Sequence, residues 1–181
     1  MIIIIQRWWT RGNWSRKSEY GNIFYFYNIN SIGGVETFFY YLAKKYKDYD
    51  ITVFYSIGDE NQIERLRQLV RVIKYNGEHI KCKKAFFNYN TSLIIDKVDA
   101  EEYIQIIHAD YKNQTNIRPI IDSRITKYLG VSKQACKSFK EVTGQDIELA
   151  YNPVSIEVPE KPLRLISATR LTTEKRKRQN D

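Results

Sequence analysis

The chain has 181 residues, 43% hydrophobic and 28% charged, with a formal net charge of +8. That length supports one good-sized domain with a closed core and is too short for two complete ones. The positive charge sits at the ends, +3 on residues 1–21 and +3 on residues 170–181, which leaves +2 for residues 22–169 and argues against a nucleic-acid-binding body.

Residues 1–21 read as a leader. Ile2–Ile5 falls far short of the roughly 18 apolar residues of a membrane span and lacks the flanks of a signal peptide. Trp8, Trp9 and Trp14 among arginines offer at most a peripheral membrane contact. The organised part begins near Asn22. Ile23–Tyr27 is an apolar and aromatic run between turn formers and predicts a buried strand. Asn28–Gly34 is a polar loop with two glycines. From Val35 the period changes: Val35, Phe38, Phe39, Leu42, Ala43 and Tyr46 share one face of a helix with an acidic first turn and a basic last turn.

Ile51–Tyr55 predicts the next strand, and a helix follows over about Asp59–Leu69 with Ile63 and Leu66 facing inward. Further strands are expected at Val70–Ile73, Ala85–Phe87, Tyr103–Ile107 and Lys127–Val131. Ser132 is placed as the N-cap of a helix that buries Ala135, Cys136 and Phe139 and exits at Gly144. Ile147–Ala150 is a last short strand. Strands alternating with helical segments imply an α/β fold, a mainly parallel sheet with helices on both faces. Asn152-Pro153 closes this domain (22–154), residues 155–162 read as a linker, and Leu163–Ala168 opens a new strand within 163–181.

Three places could carry chemistry. Gly33 and Gly34 lie between the first strand and its helix, where glycine lets a ligand approach the backbone and the helix's unpaired N–H groups favour negative charge; a plain tight turn gives the same sequence. His108 ends a strand, and in an open parallel sheet ligands sit beyond the carboxyl ends of strands, so it is placed as a hydrogen-bond partner or proton shuttle. His79 lies in a polar turn and is expected to be exposed. Arg170 and Lys175 follow the last strand and could clamp a diphosphate, or be a solvated basic tail. Two separated histidines without a Cys or carboxylate cluster predict no metal site. Cys82 and Cys136 are isolated thiols, which fits a reducing cytoplasm better than a disulfide framework.

Together, Ser31–Thr37, Val131-Ser132-Lys133, Tyr151-Asn152-Pro153-Val154 and Leu165–Lys175 resemble, in this order, the motifs of family 4 glycosyltransferases, enzymes of the two-Rossmann-domain (GT-B) kind. The resemblance covers about residues 22–175. It implies a Rossmann-like acceptor-side domain and retaining transfer of a sugar from a nucleotide-diphosphate sugar to a glycan-type acceptor, with no metal or other cofactor. It also implies acceptor or phosphate contacts at Gly33, Gly34 and Ser132, His108 near the reacting sugar, and Arg170 and Lys175 on the donor diphosphate. A cytoplasmic protein working at the inner face of a membrane would fit it. The chain departs from the family where a second domain would continue. One inserted adenine in the codons after Glu174-Lys175 would turn a family-like Glu-Lys-Gly-Lys-Asp-Arg-Met into Glu-Lys-Arg-Lys-Arg-Gln-Asn, so the expectation is a frameshifted, truncated product with little transferase activity alone. The alternative is a non-catalytic domain that works with a separate donor-binding subunit.

Overall fold

In a computed structural model of the chain, residues 19–31, 33–88, 94–113 and 118–152 are described. Seven strands form one sheet in the order β3-β2-β1-β4-β5-β6-β7, and every neighbouring pair is parallel. They are β1 (Tyr20–Ile29), β2 (Ile51–Gly58), β3 (Arg71–Lys74), β4 (Ile80–Asn88), β5 (Val98–Ile107), β6 (Lys127–Gly130) and β7 (Glu148–Leu149). Three α-helices join them: α1 (Gly34–Lys45), α2 (Glu60–Arg67) and α3 (Lys133–Thr143). The expected α/β architecture is therefore present.

The sheet is buried on both faces, and the pleat of β1 shows how. Phe24 and Phe26 join a core with Phe38, Phe39 and Leu42 of α1 and Ile63 and Leu66 of α2. Ile23 and Tyr25 point the other way, into a second core with Ala135 and Phe139 of α3. Aromatic rings fill the first core. Phe24 stacks on Phe86 at 4.5 Å, and Phe39 meets both Phe24 and Phe26.

Several elements reach beyond their sequence-based bounds. β1 starts at Tyr20, inside the stretch read as leader, because Tyr20 and Asn22 pair with Cys82 and Lys84 of β4 and the Asp50 carboxylate accepts from the Gly21 amide. β4 and β5 start at Ile80 and Val98 rather than Ala85 and Tyr103. Their charged first halves pair with each other, Lys81 with Asp99 at 3.8 Å and Lys84 with Glu102 at 2.7 Å. The alternation of strand and helix also fails between β3 and β6. Residues 75–79 join β3 to β4 without a helix, with Tyr75 packed edge-on against Tyr25. Among the described residues, the connection from β4 to β5 contains one 3-10 turn, Ile95–Lys97, and no helix appears between β5 and β6.

Three helix boundaries follow from their caps. Asp59 caps α2 by accepting from the Gln62 amide. Ser132 caps α3 by accepting from the Ala135 amide at 3.0 Å, and Gly144 ends it in the left-handed region at φ 71°. Both α3 assignments match the sequence-based reading. The linker 155–162, the strand expected at Leu163–Ala168, and Arg170 and Lys175 lie outside the described residues.

Candidate functional site

The chain runs outward from β1 through β2 to β3, then returns to the other side of β1 and runs outward again from β4 to β7. The direction reverses between β1 and β4. The connections leaving these two strands diverge: α1 packs into the first core, whereas Ile94 and Ile95 after β4 pack into the second. In open α/β sheets such a reversal is where a crevice forms at the carboxyl ends of the two strands and where ligands bind.

Four sequence-predicted residues lie along this carboxyl edge. Gly33 and Gly34 follow β1, His108 follows β5, and Ser132 follows β6. Val131 donates its amide to the carbonyl of Ile107, which holds the Ser132 turn beside His108. Arg170 and Lys175, expected on a donor diphosphate, lie outside the described residues.

Gly33 is the N-cap of α1, in extended backbone that any residue adopts, with no side chain to cap the helix. Its reason to be glycine is space. A Cβ there would run into Oε2 of Glu36, whose carboxylate folds back over the loop. Oε1 of Glu36 accepts from the Asn30 backbone amide at 3.0 Å and from its side-chain amide at 3.2 Å. The Gln62 side chain of α2 donates to the Ser31 carbonyl, and the Asp59 amide donates to that of Ile29. The loop is thus clamped from both helices. Gly34 differs: a Cβ built there meets nothing within 4 Å.

His108 is the best-connected polar group of the edge. Its Nε2 lies 2.9 Å from Oδ1 of Asn88 at the end of β4. An amide oxygen as partner selects the tautomer in which Nε2 carries the hydrogen. The ring meets Phe38 of α1 edge to face, 5.4 Å between centroids. Phe38 is four residues beyond Gly34, about 6 Å along the axis and on the same side. The glycine end of α1 therefore lies about one helical turn from the residue that touches His108. Burial pushes the His108 pKa down to about 4, so the imidazole is neutral at pH 7. That favours the hydrogen-bonding role over the proton-shuttle role, since a base of this strength is poorly matched to neutral pH.

Asn88 was not singled out as functional in the sequence. It is only 2% exposed, and its Nδ2 is buried without a hydrogen-bond partner. An unpaired buried amide donor is costly, about 1–3 kcal/mol, and this one lies at the carboxyl end of β4. The next turn is rigid. The Asp110 carboxylate accepts from Gln134 of α3 at 3.0 Å and from Asn113 at 2.6 Å, and the Lys112 amide donates to Ser138. The bonds from Gln134, Asn113 and Ser138 hold the Asp110 pKa down to about 2.

Among the described residues, no group of three or more His, Cys, Asp or Glu is placed to hold a metal, and no helix is long and apolar enough to cross a membrane. His79 is exposed. Cys82 is buried, and burial pushes its thiol up to about 12, which removes it as a nucleophile. Comparison with protein-family models, with curated proteins and with solved structures finds no match for this chain.

Proposed function

We propose that this chain is the acceptor-side domain of a retaining glycosyltransferase that uses a nucleotide-diphosphate sugar. The observation that carries the reading is that one edge of the sheet gathers the glycine start of α1 after β1, Asn88 after β4 and His108 after β5, with His108 touching both Asn88 and Phe38 of α1. The motif resemblance implies acceptor or phosphate contacts at the same glycines and puts the same histidine near the reacting sugar. In this reading the acceptor sugar lies against the Gly33-Gly34 backbone, and neutral His108 holds a hydroxyl of the reacting sugar. Arg170 and Lys175 would hold the leaving diphosphate, as the resemblance implies.

Titration of the isotope-labelled full chain with a panel of saccharides, followed by amide and imidazole NMR, tests the proposal. Shifts are expected at Gly34, Phe38, Asn88 and His108, and His108→Ala should remove them. A panel that perturbs none of these residues, or perturbs only residues at the opposite end of the sheet, would refute it.

A further inference from the structure

Strand pairing brings Asn88 to His108. Asn88 lies opposite Ile106 of β5. It is two residues past Phe86, and His108 is two residues past Ile106. Phe86 and Ile106 both belong to the first core, so alternation puts Asn88 and His108 on that same face. The bond of 2.9 Å between their side chains spans the diagonal from one strand to the next. Phe38 meets the ring edge to face at 5.4 Å. Two contacts of different kinds thus fix the imidazole, one at Nε2 and one on the ring.

We propose that Asn88 is the positioning residue for His108: its side-chain oxygen holds the ring in one orientation and in the tautomer that carries the hydrogen on Nε2, so that Nδ1 can only accept. In the sugar-site reading above, on which this rests, a hydroxyl of the reacting sugar is then the donor to the ring.

A purely structural role accounts poorly for the pair. Asn88 is 2% exposed, and its Nδ2 has no hydrogen-bond partner. Its neighbours Phe86, Phe87 and Ile106 are apolar and buried. Exchanging both members of a buried polar pair for apolar groups of similar shape is close to neutral or stabilising. Leucine at 88 and phenylalanine at 108 would remove the unpaired donor and keep an aromatic ring against Phe38. Asparagine does one thing that leucine cannot, which is to offer the ring an acceptor. Burial keeps the imidazole neutral, and a neutral imidazole has two tautomers that differ in which nitrogen donates. The Asn88 oxygen bonds only one of them. Turning the amide over, so that Nδ2 faced Nε2, would reverse the tautomer, and the imidazole spectrum therefore reads the orientation of Asn88 directly.

The test is NMR of the imidazole nitrogens in the full chain, with and without a panel of methyl glycosides and disaccharides. The unaltered chain should show Nε2 protonated and Nδ1 unprotonated. Asn88→Asp keeps an acceptor oxygen, so it should keep this tautomer and raise the pH at which the ring titrates, because a carboxylate then faces it. Asn88→Leu should give a mixture of tautomers and weaken saccharide binding about 2- to 10-fold, the scale of one hydrogen bond. Asn88→Leu combined with His108→Phe should melt no lower than the unaltered chain and bind no saccharide, which separates stability from binding. A hydrogen on Nδ1 in the unaltered chain would overturn the proposal and leave the sugar site standing. So would a tautomer and an affinity that Asn88→Leu leaves unmoved, or a double variant that melts well below the unaltered chain. If Asn88→Leu does not fold, the tautomers of the unaltered chain and of Asn88→Asp decide the matter. If no saccharide shifts His108 in the unaltered chain, the sugar-site reading falls, and the part given to Asn88 in sugar binding falls with it.

Discussion

Gly33 and Gly34 are adjacent in sequence, yet the structure predicts opposite outcomes for alanine at the two positions. Neither has a positive φ, so neither is glycine for the sake of a left-handed backbone. At Gly34 a Cβ meets open space in the first turn of α1. Replacing a helical glycine by alanine removes backbone entropy from the unfolded chain, so Gly34→Ala should stabilise the domain by about 0.5 kcal/mol. For a domain of this size that raises Tm by about 1–2 °C. In the proposed reading, the same methyl group occupies the space through which a ligand would reach the helix start. Losing one hydrogen bond there costs about 0.5–1.5 kcal/mol, or about 2- to 10-fold in saccharide affinity. At Gly33 the added Cβ displaces the Glu36 carboxylate, and both bonds to Asn30 are lost. A loss of about 1 kcal/mol follows, the scale of a removed helix cap, with Tm lower by about 2–4 °C. Thermal unfolding by circular dichroism and saccharide titration of the two variants give the four numbers needed. A Gly34→Ala variant that is more stable and binds as well as the unaltered chain would show that the open space is not a ligand path. A Gly33→Ala variant of unchanged stability would show that Glu36 does not hold the loop.

Gly130→Ala should destabilise by about 1–3 kcal/mol through overpacking, because its Cβ would collide with Sγ of Cys136 and lie 3.1 Å from Cδ1 of Ile147; in urea unfolding, a second change, Cys136→Ala, should restore part of the loss. Ser132→Ala should cost about 1 kcal/mol in the same assay by removing the α3 cap, while Ser132→Asp retains it. His108, held neutral down to about pH 4, makes stability fall as pH drops. The unfolded chain takes up the proton first, near pH 6.5, so the loss runs from there to about pH 4 and reaches up to about 3 kcal/mol. Asp110 and Asp122, both held to about 2, lose their contributions only below the ordinary carboxylate range. His108→Asn should therefore flatten the stability profile between pH 6.5 and 4 and leave the acid limb in place.

The fold was legible where a segment carries its own signal. The apolar run of β1, the helical period of α1 and the two caps of α3 each declare themselves over a few residues. The first halves of β4 and β5 did not, because Lys81, Lys84, Asp99 and Glu102 look like loop residues until the strands pair and their charges meet. The helix-free returns from β3 to β6 were invisible for a related reason. What covers the sheet there is scattered: Tyr75 on Tyr25, then Ile94, Ile95, Ala109 and Tyr111 in the second core. At the site, the strand-end rule found His108 and the glycines. That rule points only to positions at the carboxyl edge; Asn88 and Phe38, which touch His108, stand 20 and 70 positions from it and meet it only through the strand order β1-β4-β5.

Two buried polar groups without partners show why the crevice, rather than the sheet as a whole, is the place to look for function. Thr52 of β2 leaves its hydroxyl unpaired at 1% exposure. It lies between β1 and β3, beside Ile23 and Arg71, in the body of the sheet. A threonine there fits as a β-branched residue on a pleated surface, and the unpaired hydroxyl is the penalty of that choice. Asn88 admits no such account. Asparagine is disfavoured in strands, an apolar residue would fill the position without a stranded donor, and the bond to His108 occupies only half of the amide. Its location completes the contrast: Thr52 sits where neighbouring strands close the surface over, whereas Asn88 ends its strand where the connections of β1 and β4 part to opposite faces. In the proposed reading, a ligand that supplies an acceptor to this donor stabilises it, which ties the unpaired amide to the carboxyl edge of the sheet.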